Sequence, residues 1–361
     1  MSGFSERVLA AWRDNRLLSV LLELTYRCNL DCFFCYNDLG LRGRPLSTER
    51  YLRLFEELAE LQVLNLILSG GEPLAHPDFL RLGSAARGLG FVVRVKSNGH
   101  ALRGELARRL RDEVDPFLVE VSLHGSTAAS HDRQTRVAGS FDRLLANLEE
   151  MRELGLRVKL NSALTAWNEA EVEEMYALAD TLGLALAFDP EVTPRDDGSR
   201  DPLSIAPSRE GMRRLFELQM RGESDAVAPR EIGLQGDGVV PAAGGGKHCG
   251  AGSSGLTVDP YGNVYPCVQW RRPAGNLHES TIHEIWTGSP ALHEVRNLTV
   301  KVAERLAAGG PGYALGGFCP GTAESATGDP AAAYPAMEMR RDLLGELESK
   351  RPSRVSLRVL P

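Results

Sequence analysis

The alternation of short apolar runs with amphipathic segments between residues 18 and 190 constrains the fold most. The apolar runs have the length and composition of buried strands and lie at 19–24, 63–68, 91–95, 117–123, 156–164 and 184–188. Helix-like segments separate them. Near-continuous apolar strands joined by helices are typical of a parallel sheet covered by helices. Because six repeats fall short of the eight that close a TIM barrel, the pattern predicts an α/β fold with an open, partial (β/α)6 TIM-like barrel.

Composition excludes several classes of protein. Of the 361 residues, 43% are hydrophobic and 25% are charged, which is typical of a globular chain. A net charge of −7 disfavours nucleic acid as a partner. No apolar run approaches the roughly 20 residues of a membrane span, and the charged N-terminus lacks the apolar stretch of a signal peptide. We therefore expect a cytoplasmic protein with neither nucleic acid nor membrane as partner.

The pattern changes beyond residue 190 and predicts further regions. A turn-rich stretch with one helical segment ends in a glycine run and is expected to connect two domains. A Gly-rich region follows, with a hairpin signal in LTVDPYGNVYPC. The predicted regions are an N-terminal extension (1–17), the barrel (18–190), the connecting segment (191–246), a small second domain (247–335) and a C-terminal helix with a basic tail (336–361).

Three of the six cysteines lie within eight residues, directly after the first predicted strand. The segment is LTYRCNLDCFFCYND, with the spacing Cys28-x3-Cys32-x2-Cys35. Thiolates ligate iron–sulfur clusters, and three of them leave one iron of a [4Fe–4S] cubane without a protein ligand. The alternative is a structural zinc site, which prefers four ligands. This segment contains no histidine or fourth cysteine, so the spacing favours the cluster.

The spacing CxxxCxxC after the first strand, with Phe34 before the last cysteine, resembles the radical S-adenosylmethionine (AdoMet) superfamily. The resemblance implies that AdoMet binds the open iron of a [4Fe–4S] cluster. It further implies that one electron from the cluster cleaves AdoMet to a 5′-deoxyadenosyl radical, which abstracts hydrogen from substrate. A reducing partner such as flavodoxin or ferredoxin would supply that electron.

Further motifs follow the next strands at their carboxyl ends, where parallel sheets bind ligands. They are SGGEP at 69–73, KSNG at 96–99 and VSLHG at 121–125, followed by arginines downstream. The first resembles the family's GGE motif. The residues that the resemblance implies for AdoMet binding are Phe34, Gly70, Gly71, Glu72, Ser97, Asn98, Ser122, Asn161 and an arginine, Arg133 or Arg136.

The other three cysteines are Cys249, Cys267 and Cys319. With Cys249-x12-Gly262-x4-Cys267, they resemble part of the SPASM domain, an extension that holds auxiliary clusters. The second half of that pattern is incomplete here, which implies the shortened twitch version with one auxiliary [4Fe–4S] cluster on these cysteines. Its fourth site is expected to be open or filled by Asp329 first, or His248 second. The alternative is that these are ordinary buried cysteines.

An auxiliary cluster near a radical site suits an oxidative reaction. With six cysteines holding two clusters, no thiol remains as the hydrogen donor of an epimerase. The leading hypothesis is therefore an oxidoreductase that cross-links a ribosomally synthesised peptide. Residues 1–17 are too short for a leader-recognition domain, so a separate recognition protein is expected as a partner.

Two other hypotheses stay open. The chain is alternatively a radical AdoMet dehydrogenase, or a cofactor- or haem-pathway enzyme, acting on a small molecule. It is otherwise a non-catalytic iron–sulfur or zinc protein that binds a partner. No catalytic side chain is identified; residues expected near the substrate are Glu191, Arg195 and Asp197 after the last strand.

Overall fold

A computed structural model describes residues 3–38, 40–222, 246–308 and 317–349. Its centre is a sheet in which six parallel strands follow one another in chain order. They are β1 (Ser19–Glu23), β2 (Asn65–Ser69), β3 (Val92–Ser97), β4 (Leu118–Ser122), β5 (Val158–Ala163) and β6 (Leu186–Asp189). The predicted α/β fold with a partial barrel is confirmed.

Helices follow the strands and continue into the C-terminal part. They are α1 (Gly3–Asp14), α2 (Thr48–Glu60), α3 (Phe79–Gly88), α4 (Gly104–Arg109), α5 (Ala128–Thr135), α6 (Ser140–Glu153), α7 (Val172–Leu182), α8 (Arg209–Gly222), α9 (Ile282–Gly288), α10 (Pro290–Ala308), α11 (Pro320–Thr327) and α12 (Pro335–Ser349). Capping residues fix two of these helix ends: the Ser47 side chain accepts a hydrogen bond from the Arg50 N–H at 3.2 Å, and Gly183 ends α7 in the left-handed region.

The two faces of the sheet differ in chemistry. The face under the helices is apolar, and Leu22, Leu68 and Val95 are fully buried there. The other face lines the concave side of the barrel and carries Glu120 and Ser122 of β4. Because side chains alternate along a strand, every second residue of β4 points towards this concave side. Polar groups thus collect where a ligand can reach them.

The C-terminal region extends the same sheet. Strand β7 (Gly255–Val258) pairs with β1 in parallel, and β8 (Asn263–Tyr265) and β9 (Gly275–Asn276) follow antiparallel. The hairpin predicted in LTVDPYGNVYPC is β7–β8. The predicted boundary near residue 246 stays a prediction, since the sheet spans both regions.

Some predicted features lie outside the described residues: 223–245 of the connecting segment, 309–316 and the basic tail from 350. The helix expected in the connecting segment is α8. Among the described residues, no helix combines the length and apolar character needed to cross a membrane.

Candidate active site

The first cysteine set lies on the loop after β1, with the three side chains close together. Burial raises the pKa of each thiol, and the charges of Cys28 and Cys35 further raise that of Cys32. The pKa of Cys35 rises to about 11. The backbone N–H of Leu30 points at Cys28 Sγ, 3.4 Å away. Thiols whose pKa values are raised in this way become thiolates beside cations, which the irons of a cluster supply.

The glycine motif after β2 packs against the backbone that leads into the cysteine loop. Gly71 N–H donates to the Thr25 carbonyl at 2.7 Å, and Glu72 N–H donates to the Arg27 carbonyl at 2.9 Å. A Cβ at Gly70 would lie 2.3 Å from the Thr25 oxygen, and the φ of Gly70 is +139°. The close approach therefore requires glycine. These contacts make the two loops one structural unit.

Glu72 joins the glycine motif to the end of β3. Its buried carboxylate accepts hydrogen bonds from Ser97 Oγ at 2.9 Å, Asn98 N–H at 2.8 Å and Leu74 N–H at 3.2 Å. Burial raises the pKa of Glu72 to about 7, although these donors favour the ionised form. The Asn98 amide in turn donates towards Cys28 Sγ at 3.7 Å. The structure thus brings four predicted residues together.

Ser122 and Asn161 lie side by side where β4 and β5 end. The Asn161 amide donates to Glu120 at 2.9 Å, and Lys96 and Arg94 form ion pairs with the same carboxylate. Burial opposes ionisation of Glu120, but the two cations hold its pKa below the usual value. Sequence reasoning missed Glu120. The available signal was a single charged residue inside an apolar run, FLVEVSL.

The two candidate arginines both lie against aromatic side chains near the first cysteines. The Arg133 guanidinium stacks 4.2 Å from the centre of the Trp167 ring. The Arg136 guanidinium lies 4.7 Å from the Phe33 ring and pairs with Asp31 at 3.1 Å. The Phe33 and Trp167 rings are themselves in contact. Both arginines therefore remain candidates for binding an anionic group at this end of the barrel.

Phe34 packs edge-on against His124, with ring centres 4.7 Å apart. His124 is buried, and burial followed by the nearby His131 lowers its pKa to about 3. The backbone N–H of His124 donates to His131 Nδ1 at 3.1 Å. A neutral imidazole thus supports the predicted aromatic residue of the cysteine loop. Sequence reasoning did not single out His124, although it lies in the VSLHG motif.

The second cysteine set also converges. Burial raises the pKa of Cys249 to about 12 and that of Cys319 to about 11, and Cys267 adds to both shifts. Cys249 precedes β7, Cys267 follows β8, and Cys319 lies directly before α11. Cysteines that are distant in sequence thus form a second group of partly buried thiols.

The structure does not bring Asp329 to these thiols. Cys319 is at the start of α11, whereas Asp329 follows the helix end, and eight helical residues span about 12 Å. Asp329 is exposed and pairs with Arg305 at 3.1 Å. Asp329 therefore forms an ion pair with a surface arginine and does not lie beside the cysteines. His248 lies nearer, but its Nε2 donates to the Phe318 carbonyl at 2.8 Å.

A cavity of about 250 Å³ lies between the segment after β6 and the second cysteine region. Its lining includes Arg195, Asp196, Gln269 and Thr322. The Arg195 guanidinium donates to the carbonyl of Phe33 in the first cysteine loop at 3.1 Å. Arg195 therefore joins this cavity to the first cysteine loop, and its role beside the substrate stays a prediction. Of the other expected residues, Glu191 is partly buried nearby. Asp197 accepts a hydrogen bond from Ser199 N–H and is not part of the lining.

Known proteins share both halves of this architecture. Residues 22–179 match the radical SAM superfamily, and residues 249–307 match SPASM, an iron–sulfur cluster-binding domain. The mycofactocin maturase MftC of Mycolicibacterium smegmatis is 32% identical, over 76% of this chain and 71% of its own length. The PqqA peptide cyclase of Ruegeria pomeroyi is 31% identical, over 90% of this chain and 88% of its own. The chain belongs to the radical SAM superfamily.

A solved structure supports the fold of this radical SAM protein. Native anSMEcpe with bound AdoMet superposes with a TM-score of 0.70 at 18% identity, over 91% of this chain and 96% of that one. As a radical SAM protein with a SPASM region, the chain uses AdoMet and [4Fe–4S] clusters.

The residues present fit these groups. In the described part of the chain, no three Cys, His, Asp or Glu side chains converge tightly enough to bind a single metal ion. A cubane instead takes one thiolate on each of three irons, so its ligands lie further apart than those of one zinc ion. Two groups of three thiols therefore suit two cubanes.

Proposed function

We propose that this radical SAM protein is an oxidoreductase that cross-links a ribosomally synthesised peptide. The observation that carries the proposal is the 31% identity with PqqA peptide cyclase, which extends over 90% of the chain. A second relative at similar identity is a mycofactocin maturase. The likeness therefore includes the second cysteine region, where the reaction of the substrate radical would be completed.

The position of the 250 Å³ cavity supports this proposal. Arg195 on one wall contacts the loop of Cys35, while Gln269 and Thr322 on the other wall follow Cys267 and Cys319 in sequence. A peptide side chain in the cavity would thus lie between the two thiol groups. Loss of a hydrogen atom on one side and transfer of an electron on the other would leave it oxidised by two electrons, as bond formation requires.

We assign the residues as follows. The three N-terminal thiols hold the AdoMet-binding cluster, and Cys249, Cys267 and Cys319 hold the auxiliary cluster. The residues proposed to bind AdoMet are Phe34, Gly70, Gly71, Glu72, Ser97, Asn98, Ser122, Asn161 and either Arg133 or Arg136. When bound, the reduced cluster and AdoMet supply the one-electron chemistry that removes hydrogen from substrate. Arg195 and Asp196 orient the peptide, and a flavodoxin or ferredoxin and a leader-recognition protein are the proposed partners.

The test uses reconstituted protein, AdoMet, dithionite and a short peptide encoded beside the gene. We expect 5′-deoxyadenosine and a peptide lighter by two hydrogen atoms, with the new bond placed by fragmentation. A Cys249/Cys267/Cys319→Ala variant is expected to cleave AdoMet without converting the peptide. If AdoMet is cleaved but only an alcohol or a haem precursor is oxidised, the small-molecule alternative replaces this proposal.

A further inference from the structure

The auxiliary thiol group leaves one ligand position of a cubane unassigned. Three cysteines ligate three of its irons, whereas [4Fe–4S] clusters ordinarily take four protein ligands. We infer that Glu191 ligates the fourth iron of the auxiliary cluster through Oε1. This inference concerns the chain's own ligands and is independent of which substrate the enzyme takes.

Glu191 is connected to Cys319 through one hydroxyl group. Cys319 N–H donates to the Tyr334 oxygen at 3.2 Å, and the Tyr334 hydroxyl donates to Glu191 Oε2 at 3.3 Å. The Tyr334 hydroxyl therefore holds the Glu191 carboxylate close to the backbone of Cys319.

The two oxygens of Glu191 are in different environments. Oε2 forms an ion pair with Arg340 Nη2 at 3.0 Å and accepts a hydrogen bond from the Tyr334 hydroxyl. Oε1 is buried and has no hydrogen-bond partner among the described residues. Burying a carboxylate oxygen without a hydrogen-bond partner costs folding free energy unless a cation lies beside it. Metal-ligating carboxylates are commonly held by hydrogen bonds as well, as Oε2 is here.

Two contacts offset part of the cost of burying the charge of Glu191. The Arg340 side chain is only 2% exposed and pairs with Oε2, so an ionised carboxylate at this buried position has a fixed counter-charge. Tyr334 orients the carboxylate from the other side. These contacts hold the carboxylate in one orientation, with Oε1 left for the iron.

The two ligands expected from sequence are less well placed. Asp329 is exposed and ion-paired with Arg305, beyond the far end of α11. His248 uses its Nε2 to donate to the Phe318 carbonyl. Glu191 precedes Cys249 by almost sixty residues, outside any SPASM spacing, so no sequence pattern identifies it as a cluster ligand.

Mössbauer spectroscopy on ⁵⁷Fe-reconstituted full-length protein tests the ligand directly. Substituting Cys28, Cys32 and Cys35 by Ala removes the first cluster, so the auxiliary cluster is observed alone. We expect one iron in four to show the higher isomer shift of oxygen ligation. Adding Glu191→Gln should abolish that component and make the iron labile, so that mild oxidation yields the EPR signal of a three-iron cluster.

Two further variants distinguish ligation from an indirect effect. Asp329→Asn, an arginine-paired carboxylate in the same region, should leave the spectrum unchanged. Tyr334→Phe removes the bridging hydroxyl but keeps the carboxylate, and it should retain the oxygen-ligated iron. If Tyr334→Phe reproduces the Glu191→Gln spectrum, Glu191 is a positioning residue and the inference fails.

If Glu191→Gln does not fold, Glu191→Cys provides a second test of the same ligand. A thiolate at this position should replace the oxygen-type component with a fourth sulfur-type component. An unchanged oxygen-type component in folded Glu191→Cys or Glu191→Gln would overturn the assignment, because another ligand would then occupy the iron. These readouts require no peptide, so a failed peptide assay leaves them unaffected.

Discussion

The side-chain amide of Asn98 donates towards Cys28 Sγ at 3.7 Å, and the backbone N–H of the same residue donates to the Glu72 carboxylate at 2.8 Å. One residue at the end of β3 thus links a cysteine of the first set to the proposed AdoMet-binding carboxylate. Changes in one of these two sites should therefore be measurable in the other.

Replacing Glu72 by Gln should weaken AdoMet binding about tenfold or more, which corresponds to about 1.4 kcal/mol. In the variant, the amide N–H groups of Gln would face the N–H and O–H donors that now bind the Glu72 carboxylate. Two donors that face each other leave a hydrogen bond unmade, at a cost of about 1–3 kcal/mol in unfolding free energy. Equilibrium dialysis with AdoMet measures the affinity, and iron analysis checks that both clusters assemble. Unchanged affinity in an iron-replete variant would show that Glu72 has no part in binding AdoMet.

Asn98→Ala should lower the reduction potential of the first cluster. Hydrogen bonds to cluster sulfurs raise the potential, because they stabilise the more negative reduced state. An EPR-monitored redox titration without AdoMet measures the shift, with the auxiliary cluster of the same sample as the internal control. The prediction fails if the two midpoint potentials move together or neither moves.

Gly70→Ala should prevent assembly of the first cluster. The new Cβ would meet the Thr25 carbonyl at 2.3 Å in a positive-φ conformation, and neither backbone segment can yield without moving the cysteine loop. Gly88→Ala is the matched control, since a Cβ there meets nothing within 4 Å in the last turn of α3. The control should keep all iron and gain roughly 0.5–1 kcal/mol of stability. Equal iron content in both variants would refute the prediction.

Substituting Ala for Cys249, Cys267 and Cys319 together should halve the iron content. With two cubanes, the intact protein holds about eight irons, and the variant should retain about four. Iron and sulfide analysis measures both. Complete loss of iron would indicate instead that the two thiol groups depend on each other for folding.

Asp196→Asn should change the pH dependence of stability. Asp196 pairs with Arg271 at 3.1 Å, yet burial raises its pKa to about 7. Since the folded pKa lies above that of a free carboxyl, the stability contributed by this group is present at low pH and is lost as pH rises towards 7. Between about pH 5.5 and about pH 8, the unfolding free energy of the variant should rise relative to that of the unmodified protein by on the order of 1–2 kcal/mol. Thermal melts at the two pH values measure this difference. A difference that stays constant with pH would contradict this expectation.

Local patterns predicted the six barrel strands, the β7–β8 hairpin and the first cysteine site, because strand periodicity and ligand spacing are encoded within short segments. The partners of Glu23 and Glu191 could not be predicted in this way. Arg271 and Arg340 reach these carboxylates from positions well over a hundred residues away, and only the folded chain brings them together. Glu120 could be predicted in part. Its burial could be inferred from its apolar neighbours in sequence, whereas its ion pairs with Lys96 and Arg94 could not.

The pairing of β7 with β1 has a consequence for the order of synthesis. Strand β1 (Ser19–Glu23) finds its neighbour β2 early, but its other neighbour, Gly255–Val258, leaves the ribosome much later. Until then the nascent barrel has an unpaired strand edge, which is a template for association with other chains. Fragments that end before β7 should therefore accumulate as aggregates rather than as separate barrels.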